Sequence, residues 1–238
     1  MERKVLIKFC FTNLSFSASI AKYDYFVEGK LNYILSEEEP IGHYYRIIAL
    51  NDGRIISNYE TNDDLVIWDL KNRNFKTLPL DNAIYDFAAL DNKIVVTSSK
   101  GTAKVWNVDT LECEQTLHGH EDYVISISLY DKVLITADNS SIIVWKLLDN
   151  KYIVDYVIDY DGLEDFIVLK NNKILAYNSR SFSIYNQGRL EKSFDTRRRI
   201  TDLAELKDNR IAISSGDKIR IYDLSLPSVK EEAVFRCW

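Results

Sequence analysis

Glycine is scarce in this chain, with 8 residues in 238, about half the usual share of roughly 7%. Its turns must therefore be made mostly by other residues. Proline numbers 3 and methionine 1. Cysteine is limited to 3, too few for a disulfide-built domain, so a reducing compartment is the default expectation. Histidine also numbers 3, which leaves little material for a metal or acid–base site. No uninterrupted apolar run approaches the roughly 18 residues of a membrane-crossing helix, so no membrane partner is expected. The net charge of −6 gives no electrostatic reason to expect nucleic acid. What is present excludes disorder: 46% of residues are hydrophobic and 12% aromatic. The length allows one large all-β domain or two small ones.

The N-terminus has the outline of a secretory leader, with Met1-Glu2-Arg3-Lys4 before Val5-Leu6-Ile7 and Ser17-Ala18-Ser19 further on. Lys8, Asn13 and several serines break its apolar core. The expectation is a protein that is not secreted, of the cytoplasm or the nucleus.

A short phrase recurs along the chain: an apolar run, a turn of Asn and Asp, one basic residue, then a second apolar run. Instances are Ala49-Leu50-Asn51-Asp52-Gly53-Arg54-Ile55, Ala89-Leu90-Asp91-Asn92-Lys93-Ile94, Leu129-Tyr130-Asp131-Lys132-Val133, Leu169-Lys170-Asn171-Asn172-Lys173-Ile174 and Leu206-Lys207-Asp208-Asn209-Arg210-Ile211. The basic residues at 54, 93, 132, 173 and 210 are spaced 39, 39, 41 and 37. Asn and Asp tolerate positive φ and bond to their own backbone, so they make tight hairpins without glycine. The flanking runs are short and rich in Ile, Val, Leu and aromatics, a strand composition.

A second marker keeps step. Apolar strands end in Trp68, Trp106, Trp145, Tyr185 and Tyr222, spaced 38, 39, 40 and 37. Each aromatic lies 12 to 14 positions after its basic residue. A further strand follows each, as in Phe75–Leu78, Cys113–Leu117 and Tyr152–Tyr156. Four short strands in about 39 residues is close to the period of a propeller blade.

These residues resemble the WD-repeat family of β-propellers. Trp68-Asp69 matches the dipeptide that ends the family's blades. Gly119-His120 matches its Gly-His turn, and His120 precedes Trp145 by 25 positions, as His43 precedes Trp68. Leu117–Lys146 is the best single match. The resemblance implies an all-β fold: one β-propeller of about six four-stranded blades over residues 1–238, at about 1–40, 41–80, 81–118, 119–158, 159–195 and 196–238. It also implies a buried polar relay in each blade, linking the turn His, a strand hydroxyl, a turn Asp and the Trp. Here Gly-His is missing from three of five blades, and the turn-Asp place falls on Lys100 in one blade and Asn139 in the next. The relays are expected to be incomplete and stability to rest on apolar packing.

The first blade is short of a strand on this register. Lys4-Val5-Leu6-Ile7 repeats Lys132-Val133-Leu134-Ile135, Ser19–Asp24 takes the aromatic-strand place, Leu31–Leu35 the outer strand, and Phe11–Ser17 becomes a long loop. Three readings stand side by side: Val5–Cys10 is an inner strand followed by irregular strands, the ring closes imperfectly, or the chain is part of a longer propeller. Ala233–Cys237 completes the last outer strand.

By the same resemblance, partners dock on the face carrying the outer-to-inner connections. These are Gly42–Arg46, Asp81–Ile84, Glu121–Tyr123, Asp159–Gly162 and Thr196–Arg199. They present Tyr44, Tyr45, Arg46, Ile84, Tyr123, Tyr160, Arg197, Arg198 and Arg199 as candidate protein-binding residues, and Tyr and Arg dominate interface energetics. Arg197-Arg198-Arg199 suits bidentate bonding to a phosphate or an acidic peptide, and some F-box members of the family read phosphorylated peptides with arginines there. The opposing reading is a solvated basic loop neutralised by Asp195 and Asp202. The five recurrent basic residues are expected to be structural, balanced by acids in their turns.

Catalytic and cofactor signatures are missing. Cys113, His118 and His120 are close in sequence, but their spacing fits no common zinc pattern. No nucleophile elbow or phosphate loop is present. The expected function is therefore a non-enzymatic protein-interaction scaffold without metal or cofactor. The alternative is a phosphopeptide or acidic-peptide reader in a ubiquitin-ligase or signalling complex.

Overall fold

The computed structural model describes residues 7–12, 15–20, 44–59, 62–78, 80, 84–89, 94–130, 133–225 and 230–236. Of these, 7–12, 15–20, 44–46, 59, 62–63, 94–100, 129–130, 230 and 236 are described as backbone alone. Among the described residues there are 21 strands and no helix. The chain divides into two compact units, Met1–Ser99 with Lys104–Thr116, and Lys100–Ala103 with Leu117–Trp238.

In the first unit, β1 (Ile7–Thr12) and β2 (Ser15–Ile20) form an antiparallel hairpin. Ala18 of β2 pairs with Tyr44 of β3 (Tyr44–Ala49). β4 (Ile55–Tyr59), β5 (Asn62–Asp69) and β6 (Asn74–Leu78) continue the meander, giving one six-stranded sheet in chain order. This departs from the expected first blade. Within the expected Phe11–Ser17 loop, Phe11, Thr12 and Ser15–Ser17 are strand, with Phe11 opposite Phe16 and Thr12 opposite Ser15. Lys8-Phe9-Cys10-Phe11 and Phe16-Ser17-Ala18 alternate in apolar character on either side of a short connection, a pattern that pairs with itself. Tyr23, Asp24 and Leu31–Leu35 lie outside the described residues. The core of this unit is Leu50, Ile56, Leu65, Ile67, Leu78, Phe87 and Val108, all buried. Each such side chain contributes about 1.5–3 kcal/mol relative to exposure.

β7 (Phe87–Ala89), β8 (Ile94–Asn107) and β9 (Glu112–Tyr123) form a three-stranded sheet. β8 takes in both the expected second strand and the Trp106 strand, with Gly101 in left-handed backbone (φ +66) between them.

The second unit holds three four-stranded antiparallel meanders. The first is β10 (Ser126–Tyr130), β11 (Val133–Ala137), β12 (Ser141–Leu148) and β13 (Lys151–Asp159). The second is β14 (Asp165–Val168), β15 (Ile174–Tyr177), β16 (Ser181–Asn186) and β17 (Arg189–Asp195). The third is β18 (Asp202–Glu205), β19 (Arg210–Ser215), β20 (Lys218–Asp223) and β21 (Lys230–Arg236). The three sheets run over 126–159, 165–195 and 202–236.

Strand alternation makes the core. Ile135, Ala137, Ile142 and Val144 pack against Phe166, Ile174 and Ala176. The opposite face of the middle sheet, with Leu175, Tyr177, Phe182 and Ile184, packs against Ile211, Ile213 and Tyr222. Each middle-layer strand is thus apolar on both faces, with neighbouring residues pointing to opposite sheets.

The turns follow the low-glycine expectation. Asp149, Asn150, Asn172, Asp208 and Asn209 take positive φ, between 48° and 65°. Just before Trp145, Tyr185 and Tyr222 the register with the outer strand shifts, so that Asp155, Glu191 and Glu232 are bulged, without a cross-strand partner. The bulge increases local twist and aims the aromatic into the core.

The recurrent basic residues bond to nearby acids. Arg54 pairs with Asp52 at 2.7 Å and Asp109 at 2.8 Å. Lys173 pairs with the bulged Glu191. Arg210 lies 3.7 Å from Asp208 and 3.9 Å from the bulged Glu232. Lys93 and Lys132 lie outside the described residues.

Candidate functional site at the outer-to-inner connections

The connection from β9 into β10 is held by a buried relay. Trp145 Nε1–H donates to Thr136 Oγ1 at 2.8 Å. Thr136 Oγ1 lies 2.7 Å from His120 Nε2, and His120 Nδ1 lies 3.1 Å from Asp138 Oδ2. Because the Asp138 carboxylate can only accept, the imidazole proton sits on Nδ1 facing it, and Nε2 accepts from the Thr136 hydroxyl. Thr136 and Asp138 are fully buried and His120 nearly so.

Asp138 also accepts from Ser140 N–H at 2.8 Å, Ser141 N–H at 2.7 Å, Ser141 Oγ at 3.0 Å and Glu121 N–H at 3.3 Å. Burial opposes its ionisation, but these bonds and His120 outweigh it and hold its carboxyl at about 2. Burial pushes the His120 pKa down, against the pull of the Asp138 carboxylate. The neutral imidazole is therefore the resident form.

The expectation of an incomplete relay is corrected for this blade. The turn acid is Asp138, one residue before the position expected to be Asn139, because the β11–β12 turn begins at Asp138, whose carboxylate caps it. In the next sheet Asn178 plays the same turn role, accepting from Ser181 N–H at 2.9 Å and Ser181 Oγ at 2.9 Å. Gly119 is required where it stands: at φ +153 a Cβ would sit 2.9 Å from Ile143 Cδ1.

The predicted contact residues separate into groups. Tyr44, Tyr45 and Arg46 lie within β3, in strand and not in a loop; their side chains are outside the described set. Ile84 is half-buried and packs against the first unit's core. Glu121–Tyr123 is also strand, the end of β9, and leaves Tyr123 39% exposed. Tyr160 is corrected to a core residue. It is 8% exposed, packs in the Ile135–Phe166 cluster, and its hydroxyl lies 3.4 Å from Ser181 O.

Arg197, Arg198 and Arg199 are all exposed, in the connection between β17 and β18. The loop is shaped from within. Arg197 takes left-handed backbone (φ 55) and donates its N–H to Asp195 Oδ1 at 2.7 Å. Thr196 Oγ1 donates to Arg198 O at 2.6 Å. Asp202 accepts the Leu203 N–H at 2.7 Å. Both neighbouring acids are thus turned to backbone, and among the described residues none of the three guanidiniums has a hydrogen-bond or ion-pair partner.

His120 has both ring nitrogens engaged in the relay, and Cys113 Sγ contacts Gln115 O and Thr116 Oγ1. Among the described residues no group of three His, Cys, Asp or Glu is placed to hold a metal ion. One residue escaped sequence reasoning altogether. Arg220 of β20 is 5% exposed, on the strand face shared with core residue Tyr222.

These sheets are the blades of a β-propeller. The family model of the WD domain, G-beta repeat, matches residues 111–146, the stretch that holds the relay. The match covers one repeat, and with the fold it makes the chain similar to WD-repeat propellers. A chain in the crystal structure of a mitotic checkpoint complex is similar over 93% of this chain and 74% of its own, at 14% identity and a TM-score of 0.71. The WD40 β-propeller domain of Doa1 is similar over 81% and 69%, at 16% identity and a TM-score of 0.64. Comparison with curated proteins finds no match. WD-repeat propellers are in general scaffolds for protein–protein interaction and are typically non-catalytic.

Proposed function

We propose that this chain is a non-enzymatic scaffold that holds a protein partner on the outer-to-inner connections. The observation that carries this reading is the Thr196–Arg199 connection. Three exposed guanidiniums stand on a loop shaped by its own backbone bonds, with neighbouring carboxylates committed elsewhere. Cations held in place and left unpaired are ready for a partner at low ordering cost. That a similar propeller was solved within a multiprotein complex accords with this. Affinity capture from the native cell, with the wild type beside Tyr123→Ala and an Arg197/Arg198/Arg199→Ala triple variant, tests it. A partner recovered by the wild type and lost by the triple variant is expected. Recovery of none by the wild type removes the reading's support.

A second, narrower reading has the same loop behind it: recognition of a phosphorylated or acidic peptide within a ubiquitin-ligase or signalling assembly. Three adjacent guanidiniums favour an oxyanion over an apolar anchor. Equal binding of a phosphopeptide array by wild type and triple variant would sink it.

A further inference from the structure

Arg220 is a charge where the other sheets bury something else. Counting two residues back from the third-strand aromatic, the equivalents are Val66, Ile143 and Ser183, all buried. Lys104 holds the same place in the three-stranded sheet, but it is half-exposed and its ammonium lies over the Trp106 ring at 5.7 Å. Arg220 is 5% exposed. Its Nε lies 3.3 Å from Glu231 Oε2, and its NH1 is buried without any hydrogen-bond partner. Leaving a charged donor unsatisfied in the interior is costly, so NH1 favours any acceptor that can reach it.

The neighbourhood is short of negative charge. The Glu231 carboxylate is shared, its Oε2 also accepting from the Tyr222 hydroxyl at 3.4 Å. Burial and then Glu231 push the Tyr222 pKa up to about 12, while the fields of both Arg220 and Arg198 pull it down. The β17–β18 connection enters the sheet at the same end: Asp202 pairs with Ser214, and Ser214 with Ile219, the neighbour of Arg220. The carboxylate that Arg220 shares with Tyr222 is 44% exposed.

We propose that Arg220 and Arg198 form an oxyanion site between the β17–β18 connection and β20, which takes the phosphate group of a phosphorylated peptide. The inference rests on the loop reading above and adds its buried anchor. The phosphate displaces Glu231 towards solvent and takes Nε and NH1 of Arg220 as a two-pronged acceptor, with Arg198 closing from the loop. A planar guanidinium matches that geometry, and each charge-assisted bond so made is among the stronger ones.

The test uses the full chain with inorganic phosphate, then with a short phosphoserine peptide and its unphosphorylated form. Phosphate is expected to raise the melting temperature more than chloride at matched ionic strength. Glu231→Gln, which weakens the competitor, is expected to enlarge that rise. Arg220→Met is expected to abolish it while leaving the ligand-free protein about as stable as the wild type, since a buried guanidinium with an unsatisfied NH1 is removed. Peptide affinity is expected to fall about tenfold or more in Arg220→Met and in Arg198→Ala.

A phosphate response no greater than that of chloride in both wild type and Glu231→Gln means that water fills the place, and overturns the proposal. Should Arg220→Met fold poorly, the Glu231→Gln gain and the Arg198→Ala loss decide, and absence of both overturns it. Peptide binding lost in Arg198→Ala but kept in Arg220→Met overturns the role of Arg220 and leaves the loop reading standing. Failure of the wild type to bind the peptide overturns both, and inorganic phosphate bound without the peptide overturns the peptide as its source.

Discussion

In the sheet β10–β13 the third-strand aromatic is Trp145, and the strand beside it offers Thr136, whose hydroxyl joins the indole to His120 and Asp138. In the sheet β18–β21 the aromatic is Tyr222. The residue in the place of Thr136 is Ile213, which pairs with Arg220 across the strands as Thr136 pairs with Ile143. The first sheet fills the space with a chain of hydrogen bonds. The second fills it with rings: Tyr222 meets Phe182 at 5.9 Å and Phe194 at 5.3 Å, edge to face. One aromatic position is thus served by two kinds of force. The polar version is closed and complete, whereas the apolar version leaves a guanidinium half-satisfied beside it. A complete relay fixes one geometry; an incomplete one keeps a donor in reserve for a ligand.

The comparison can be broken most severely at Asp138. Asp138→Ala removes the acceptor of several buried donors and is expected to cost about 3 kcal/mol, seen as a lower urea midpoint. Gly119→Ala follows, at about 2 kcal/mol, because its methyl group meets Ile143 in backbone that disfavours a side chain. Trp145→Phe against Tyr222→Phe sharpens the contrast directly. The first takes a donor from Thr136 and is expected to cost about 1–2 kcal/mol. The second removes a hydroxyl whose single partner lies at 3.4 Å and is expected to cost under about 0.5 kcal/mol.

The gentlest effect is with pH. His120 titrates below its ordinary value of 6.5 in the folded protein, so acidification favours the unfolded chain, which takes up the proton first. Asp138 adds to this between its ordinary 3.8 and about 2. Stability is therefore expected to fall as the pH drops below 6.5, and further below about 4. His120→Gln is expected to flatten the upper limb of a midpoint-versus-pH curve; an unchanged upper limb contradicts the relay's charge state.

Much of the architecture was legible because two markers held one period. The Asn/Asp turns and the third-strand aromatics placed β10–β21 within a few residues, and the Arg197–Arg199 loop stands exposed as read. The errors have local causes. The β11–β12 turn was counted from Asn139, and a shift of one residue hid the acid that completes the relay. Tyr160 follows directly on an outer strand and was taken as a surface tyrosine. The chain there turns inward, its N–H bonding to Ser140 O at 2.8 Å, and the ring drops into the core. Tyr44–Arg46 and Glu121–Tyr123 read as loops but are strand, because strand ends carry no sharp composition signal. Arg220 carries one signal: Lys218, Arg220 and Tyr222 share a face by the two-residue period, and Tyr222 is the aromatic that ends its strand.

The bulged acids have a further consequence, at the rims. β13, β17 and β21 are each the last strand of their sheet, an edge of the kind that can template another chain. Val154, Val157, Leu190, Val234 and Phe235 are exposed on these same strands, which makes them adhesive. Asp155, Glu191 and Glu232 interrupt each edge with an unpaired, negatively charged residue held by Lys146, Lys173 and Arg210. A strand arriving alongside would have to skip a register and bury a carboxylate. The irregularity that seats each aromatic thus also keeps copies of the protein from zipping together.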